Sequence, residues 1–200
     1  MFSAPQLTLF GRETASFDQK FRDIKRLELG RGAWVDRVPG WVRGHATLFE
    51  ELSRHLDWRT ERRQMYERIV EVPRLLADPA LEAQPPLVVA MASALSAWYD
   101  EPLRRVTYAL YRDGRDSVAF HQDKVLRDQA HALVAVVSLG GPRSFHLRPL
   151  GGGASRSFSC GWGDLTVMGG TCQRFFEHGI PKVSRAPARL AVMFRSVNLR

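Results

Sequence analysis

The chain has 200 residues, 44% of them hydrophobic and 25% charged, a composition that can bury one core and is too apolar for a disordered segment. No apolar run reaches the roughly 20 residues that span a bilayer, and residues 1–18 lack the basic, apolar and small-residue order of a secretory signal, so a cytoplasmic protein without a membrane span is expected. The net charge is +8, with 25 Arg against 4 Lys. A surface of that kind gathers polyanions and makes nucleic acid the favoured partner, the competing explanation being a codon bias toward arginine on a plain solvated surface.

Apolar residues recur at helical spacing from Ser16 to Arg31 and again from Thr47 to Trp58, where Thr47 and Glu50 have the spacing of a capping box. A further helix is expected in LEAQPPLVVAMASALSAWY, with the pair Pro85 and Pro86 marking its start. From Arg105 onward the texture changes to short β-branched or aromatic runs divided by Asp113-Gly114, Gly140-Gly141-Pro142, Gly151-Gly152-Gly153, Gly161-Trp162-Gly163 and Gly169-Gly170. Strands are predicted at Val106–Tyr111, Ser117–His121, Ala132–Leu139, Ser144–Leu147, Ser157–Cys160, Asp164–Met168, Arg174–His178 and Arg189–Ser196. The fold class that follows is α+β, a β-sandwich or jelly roll with N-terminal helices packed on one face. Residues 1–103 would form the helical extension and residues 104–200 the β core. Cys160 and Cys172 are too few for a disulfide framework or a zinc ribbon and are read as buried or incidental thiols. Nothing points to an obligate assembly, and a monomer is expected.

The stretch SVAFHQDKV carries the chemistry. Residues i and i+2 of a strand point to one side, so His121 and Asp123 converge if the strand persists through them. An imidazole and a carboxylate need one more imidazole from a neighbouring strand to make the two-histidine, one-carboxylate set of a non-haem iron oxygenase, and FFEHGIPK supplies His178. An H-x-D pair alone also arises by chance, and His45, His55, His131 and His146 are read as surface or packing residues. In RLAVMFR, Arg189 and Arg195 stand six residues apart, so an extended strand presents both to one face. Inward guanidinium groups demand anions, and a dicarboxylate beside the metal would satisfy both; the plainer alternative is two surface arginines at the ends of a strand.

The order LYRDGRDSVAFHQD, GDLTVMGG, FFEHGIPK and RLAVMFR resembles the AlkB family of Fe(II)/2-oxoglutarate-dependent dioxygenases, in the branch with a D-G-x-D turn before H-x-D. The likeness is close from Arg104 to Val197 and looser over WVDRVPGW through QMYERIVEVPR, which is similar to the family's nucleotide-recognition region. It implies a double-stranded β-helix, with Fe(II), 2-oxoglutarate and O2 as cofactor and cosubstrates. His121, Asp123 and His178 would hold the iron, Tyr111 would hydrogen-bond the 2-oxoglutarate, Arg189 would pair with its distal carboxylate and Arg195 would lie near its metal-bound end. The implied reaction is oxidative dealkylation of N-alkylated bases in DNA or RNA, with release of an aldehyde, succinate and CO2.

An enzyme acting on a base nitrogen must take the base out of its stack or use single strands, and it holds the base between aromatic faces while Arg or Lys tracks the backbone. DWRTERRQMYERIVEVPR has that composition, with Arg59, Arg62, Arg63 and Arg68 interleaved with Trp58, Met65 and Tyr66. A substrate lid built from Trp58, Arg63, Met65 and Tyr66 is expected there, with Arg174 at the pocket rim. The alternative is a basic helix end followed by a covering strand, with Trp58 and Tyr66 simply packed. The chain departs from the family in four places: Ala109 and Ala191 stand where many members have asparagine, Val125 stands where an acidic residue associated with base selection is common, and VPR runs into LLADPALEAQPP without the Trp-Tyr-Gly-like stretch of several relatives. The other functions that remain open are an oxygenase of the same fold acting on a modified tRNA base, a nucleotide or a protein, and a non-catalytic nucleic-acid-binding module.

Overall fold

The structure, a computed structural model, describes residues 13–65, 68–123 and 131–196. In chain order its elements are β1 (Ser16–Phe17), β2 (Lys25–Gly30), β3 (Ala33–Val38), β4 (Val42–Arg43), α1 (His45–His55), β5 (Arg59–Met65), β6 (Arg68–Ala77), a 3-10 turn (Leu81–Ala83), α2 (Pro86–Tyr99) and β7 (Arg105–Tyr111). There follow β8 (Val118–His121), β9 (Val134–Gly140), β10 (Arg143–Pro149), β11 (Arg156–Cys160), β12 (Asp164–Gly170), α3 (Cys172–Phe175), β13 (Phe176–Ile180) and β14 (Arg189–Arg195).

Two antiparallel sheets face each other. The large one has the order β2-β3-β12-β9-β14-β7-β6-β5 and the small one β11-β10-β13-β8. Strand alternation divides the large sheet into two surfaces. On β14, Leu190, Val192 and Phe194 face a rear apolar cluster, which also takes Leu48 and Leu52 from α1 and Val88, Met91, Ala92 and Leu95 from α2. Ala191 and Met193 face the other way, into the cluster between the sheets with Phe145, Leu147 and Ile180. Burying each such aliphatic or aromatic side chain contributes about 1.5–3 kcal/mol, so both faces of the sheet are strongly fixed. The result is the expected jelly roll with helices behind one sheet. Strands on either side of residue 103 share that sheet, since β2, β3, β5 and β6 precede it. Among the described residues, no helix is long and apolar enough to cross a membrane.

Three local expectations are corrected. Ser16–Arg31 is not helical: it forms β1, a turn through Phe21, and β2. The spacing of Phe17 and Phe21 that imitates a helix instead serves Trp41, whose ring both contact at 4.9 and 5.5 Å. The β2–β3 turn needs three left-handed residues in a row, Gly30, Arg31 and Gly32, a conformation in which glycine is tolerated without steric cost. Thr47 and Glu50 form no capping box, because α1 starts after Gly44 and the Thr47 hydroxyl donates to the Glu13 carbonyl (2.8 Å). The strand expected at Arg174 begins at Phe176, the preceding residues forming the single turn α3.

Candidate active site

A cavity of about 360 Å3 opens between the two sheets. Its floor comes from the inward positions of β7 and β14, which pair in register: Tyr111 with Arg189, Ala109 with Ala191, Thr107 with Met193 and Arg105 with Arg195. Val118, His121, Phe145, His178 and Ile180 of the small sheet form its roof. The six residues His121, Asp123, His178, Tyr111, Arg189 and Arg195 all line this one cavity.

At one end, β8 and β13 bring His121 opposite His178, with ring centroids 4.4 Å apart. Pairing slips between this pair and the next, Ile180 with Val118, so β8 uses three residues where β13 uses two. The bulge turns both Val118 and His121 inward, whereas a regular strand would send residues three apart to opposite faces. His121 Nδ1 lies 2.9 Å from the Ala119 carbonyl, which can only accept. Nδ1 therefore carries a proton and donates it to that carbonyl, which orients the ring with Nε2 as the atom left for a metal. His178 stacks on Phe145 at 5.5 Å. Burial, followed by the nearby His121, Arg195 and Arg74, holds its pKa well below the usual imidazole range, so its ring is neutral at pH 7.

The H-x-D segment is tied down from α3. The Asp123 amide donates to Oε1 of the buried Gln173 (3.0 Å), and the Gln122 side-chain amide donates to the carbonyls of Gln173 (3.0 Å) and Arg174 (3.1 Å). The Asp123 carboxylate accepts from Arg195 Nε, and Arg195 Nη1 donates to Thr107 Oγ1 (2.6 Å). Among the described residues no three His, Cys, Asp or Glu side chains are grouped tightly enough to hold a metal ion, the carboxylate being turned toward Arg195. Two imidazoles and a carboxylate at one end of a cavity are nonetheless the donor types that suit Fe(II).

The opposite end is cationic. Arg189, only 2% exposed, donates from Nη2 to Ser138 Oγ (2.7 Å). Arg74, 9% exposed, donates from Nη1 to the Tyr111 hydroxyl (2.9 Å). The Nε atoms of both guanidinium groups are buried without a hydrogen-bond partner. Leaving such donors unmet costs about 1–3 kcal/mol each, and a carboxylate between them would remove that cost. Arg143 serves the frame instead, donating to the carbonyls of Asp113 (2.9 Å), Asp116 (2.9 Å) and Pro181 (2.7 Å) and so holding the turn that leads into β8. Replacing Ser138 by alanine strands a second Arg189 nitrogen, Nη2, beside the unpartnered Nε. Urea unfolding should report a loss of about 1–3 kcal/mol, and a variant as stable as the wild type would mean that this contact contributes nothing.

Of the expected substrate-binding residues, Trp58 and Arg174 are described with their side chains, and neither lines the cavity. Trp58 is half-buried behind the large sheet, where it packs on the rear apolar cluster and its Nε1 donates to the Ser53 carbonyl (3.0 Å). Arg174 is exposed over the ring of Phe175, with Cζ 5.4 Å from the centroid, and does not line the cavity. The lid segment is a hairpin, β5 with β6, at the edge of the large sheet. Tyr66, Val125 and the side chains of Arg63 and Met65 lie outside the described residues. Sequence reasoning missed Arg74, Ser138 and Gln173. Ser138 had a signal, as the polar interruption of the apolar run VAVVSLG; Arg74 had none, because its partner Tyr111 is 37 residues away.

The chain was compared with known proteins. Residues 45–199 match the 2OG-Fe(II) oxygenase superfamily. No curated protein matches the chain. Among solved structures it is similar to OsALKBH1, at 14% identity and TM-score 0.59 over 86% of this chain and 100% of that one. It is similar also to a 2OG-Fe(II) oxygenase family oxidoreductase from Burkholderia pseudomallei, at 14% identity and TM-score 0.55 over 80% of this chain and 84% of that one. A prolyl hydroxylase in complex with a hypoxia inducible factor oxygen degradation domain peptide fragment, from Trichoplax adhaerens, aligns at 11% identity and TM-score 0.53 over 76% of this chain and 73% of that one. These structures share the fold, and the matched span runs through both sheets of the cavity: the chain belongs to the 2OG-Fe(II) oxygenase superfamily, whose dioxygenase chemistry uses Fe(II), 2-oxoglutarate and O2.

Proposed function

We propose that this oxygenase removes N-alkyl groups from bases of DNA or RNA. The observation that carries its cosubstrate half is the polarity of the cavity: His121, His178 and Asp123 at one end, and at the other two buried arginines, each with an unsatisfied Nε. A 2-oxo diacid, with a metal-chelating end and a carboxylate end, has the same polarity. Its nucleic-acid half is supported by the +8 charge, carried mostly by arginine, and by the AlkB-like order of motifs from Arg104 onward.

In this reading His121, Asp123 and His178 hold Fe(II), and Arg189 and Tyr111 hold the distal carboxylate of 2-oxoglutarate. Bound iron, with 2-oxoglutarate and O2, supplies the oxidising power to hydroxylate a carbon attached to nitrogen. For an N-methyl base, one oxygen atom leaves in formaldehyde and the other in succinate, with CO2 and the restored base as the remaining products. The residues supply orientation and a dry site. Gln173 fixes the backbone of Asp123, the Nδ1–H donation of His121 aims Nε2, and Val118, Phe145, Ile180 and Met193 keep the walls apolar.

Anaerobic addition of Fe(II) and 2-oxoglutarate should produce a weak visible charge-transfer band, which decays when oxygen is admitted with a 1-methyladenine oligonucleotide, releasing succinate and formaldehyde. No band would refute the cosubstrate site. A band with succinate but no formaldehyde would refute the dealkylase and favour a second reading, an oxygenase of the same fold on another substrate. The position of Trp58 favours that second reading, since it packs behind the sheet rather than at the cavity.

A further inference from the structure

Two rows of side chains cross the cavity floor perpendicular to its strands. Leu76 of β6 is opposite Ala109 of β7, which is opposite Ala191 of β14. One step along lie Arg74, Tyr111 and Arg189, with Tyr111 and Arg189 in register and Arg74 bonded to the Tyr111 hydroxyl. The first row offers no hydrogen-bond donor, so an anion on this part of the floor must be held by the second.

The second row has donors to give. Arg74 Nε and Arg189 Nε are buried without a partner. The Tyr111 oxygen accepts from Arg74, which leaves its own hydrogen as a third donor. The two carboxylates lining the cavity are engaged elsewhere, Asp123 with Arg195 and Asp78 with Arg105 (2.8 Å). Both guanidinium groups lie against the Tyr111 ring, with Cζ 5.9 Å (Arg74) and 5.3 Å (Arg189) from its centroid, and buried cations beside one tyrosine are relieved by one shared carboxylate, whose two oxygens carry about four lone-pair directions.

We propose that Arg74 is a second cosubstrate-binding arginine. With Arg189 it forms a clamp on the distal carboxylate of the 2-oxo acid, and the clamp makes the site select a 2-oxo diacid over a 2-oxo monoacid of equal length. This rests on the cavity being a 2-oxoglutarate site. It differs from a merely structural role, in which Arg74 would do no more than hold the Tyr111 hydroxyl.

The two roles separate by ligand. Titration calorimetry on the whole chain with Mn(II), which binds without turnover, compares 2-oxoglutarate with 2-oxopentanoate, which lacks the distal carboxylate. Arg74→Gln should weaken 2-oxoglutarate about 10- to 100-fold, the worth of a hydrogen-bonded charge pair, and change 2-oxopentanoate by less than about 3-fold. Arg74→Lys, which keeps the charge without the fork, should recover part of the loss. Equal weakening of both acids, or unchanged 2-oxoglutarate affinity, would overturn the proposal. Should Arg74→Gln fail to melt cooperatively, the ratio of the two affinities in Arg74→Lys decides: a ratio below wild type supports the clamp and an unchanged ratio overturns it. A wild-type protein that binds neither acid would refute the cosubstrate site itself, a result distinct from a wild type that binds 2-oxoglutarate and an Arg74→Gln variant that binds it equally well.

Discussion

His178→Ala is expected to abolish iron binding and to lower turnover about 10^3-fold or more, at least about 4 kcal/mol of transition-state stabilisation. The side chain faces His121 across the β8–β13 pair, and its neutral ring offers a lone pair to a cation at pH 7. Alanine in its place leaves one imidazole and one carboxylate, too few donors to hold a metal against water. The backbone need not suffer: β13 keeps its neighbours β10 and β8, and the lost contact is mainly the stack on Phe145. Metal content by elemental analysis, succinate release and thermal melting together make the test specific. A metal-loaded, active His178→Ala protein would remove this residue from the iron site, and a variant that had merely unfolded would be recognised by its melting curve.

Phe194→Ala is expected to destabilise the fold by about 3–5 kcal/mol, a large share of the stability of a domain of this size. Phe194 is fully buried on the rear of β14, with Ala135 of β9 and Val106 of β7 as its cross-strand neighbours. Small partners on one side mean that no long side chain is available to fill the space left behind. Urea unfolding should show a lower midpoint with an unchanged slope. A loss below about 1 kcal/mol would mean that the rear cluster closes over the gap, contrary to the packing of native interiors.

The β half of the protein was legible because its signals are local. Alternation in RLAVMFR assigns Arg189 and Arg195 to one face and Leu190, Val192 and Phe194 to the other with no knowledge of neighbours, and the glycine pairs mark where strands end. The N-terminal quarter was misread because Phe17, Phe21 and Ile24 satisfy a helical period while their partner, Trp41, is supplied by a later segment. Arg74 shows the same limit at the site. Its inward direction depends on the register of β6 against β7, and register is a property of two strands that neither sequence carries alone. For the same reason Trp58 looked like a base-stacking residue: composition places an aromatic among arginines, and only the end of α1 turns it toward the Ser53 carbonyl and the rear cluster.

The slipped pairing of β8 against β13 bears on how this protein can change over evolutionary time. His121 reaches the cavity only because its strand carries one residue more than its partner between Val118 and the histidine pair. Point substitutions at Ala119 or Phe120 preserve that count, whereas an insertion or deletion of a single codon there alters which face His121 occupies. The segment is therefore tolerant in letter and intolerant in length, and relatives that keep the chemistry should differ there by exchange of residues rather than by gaps.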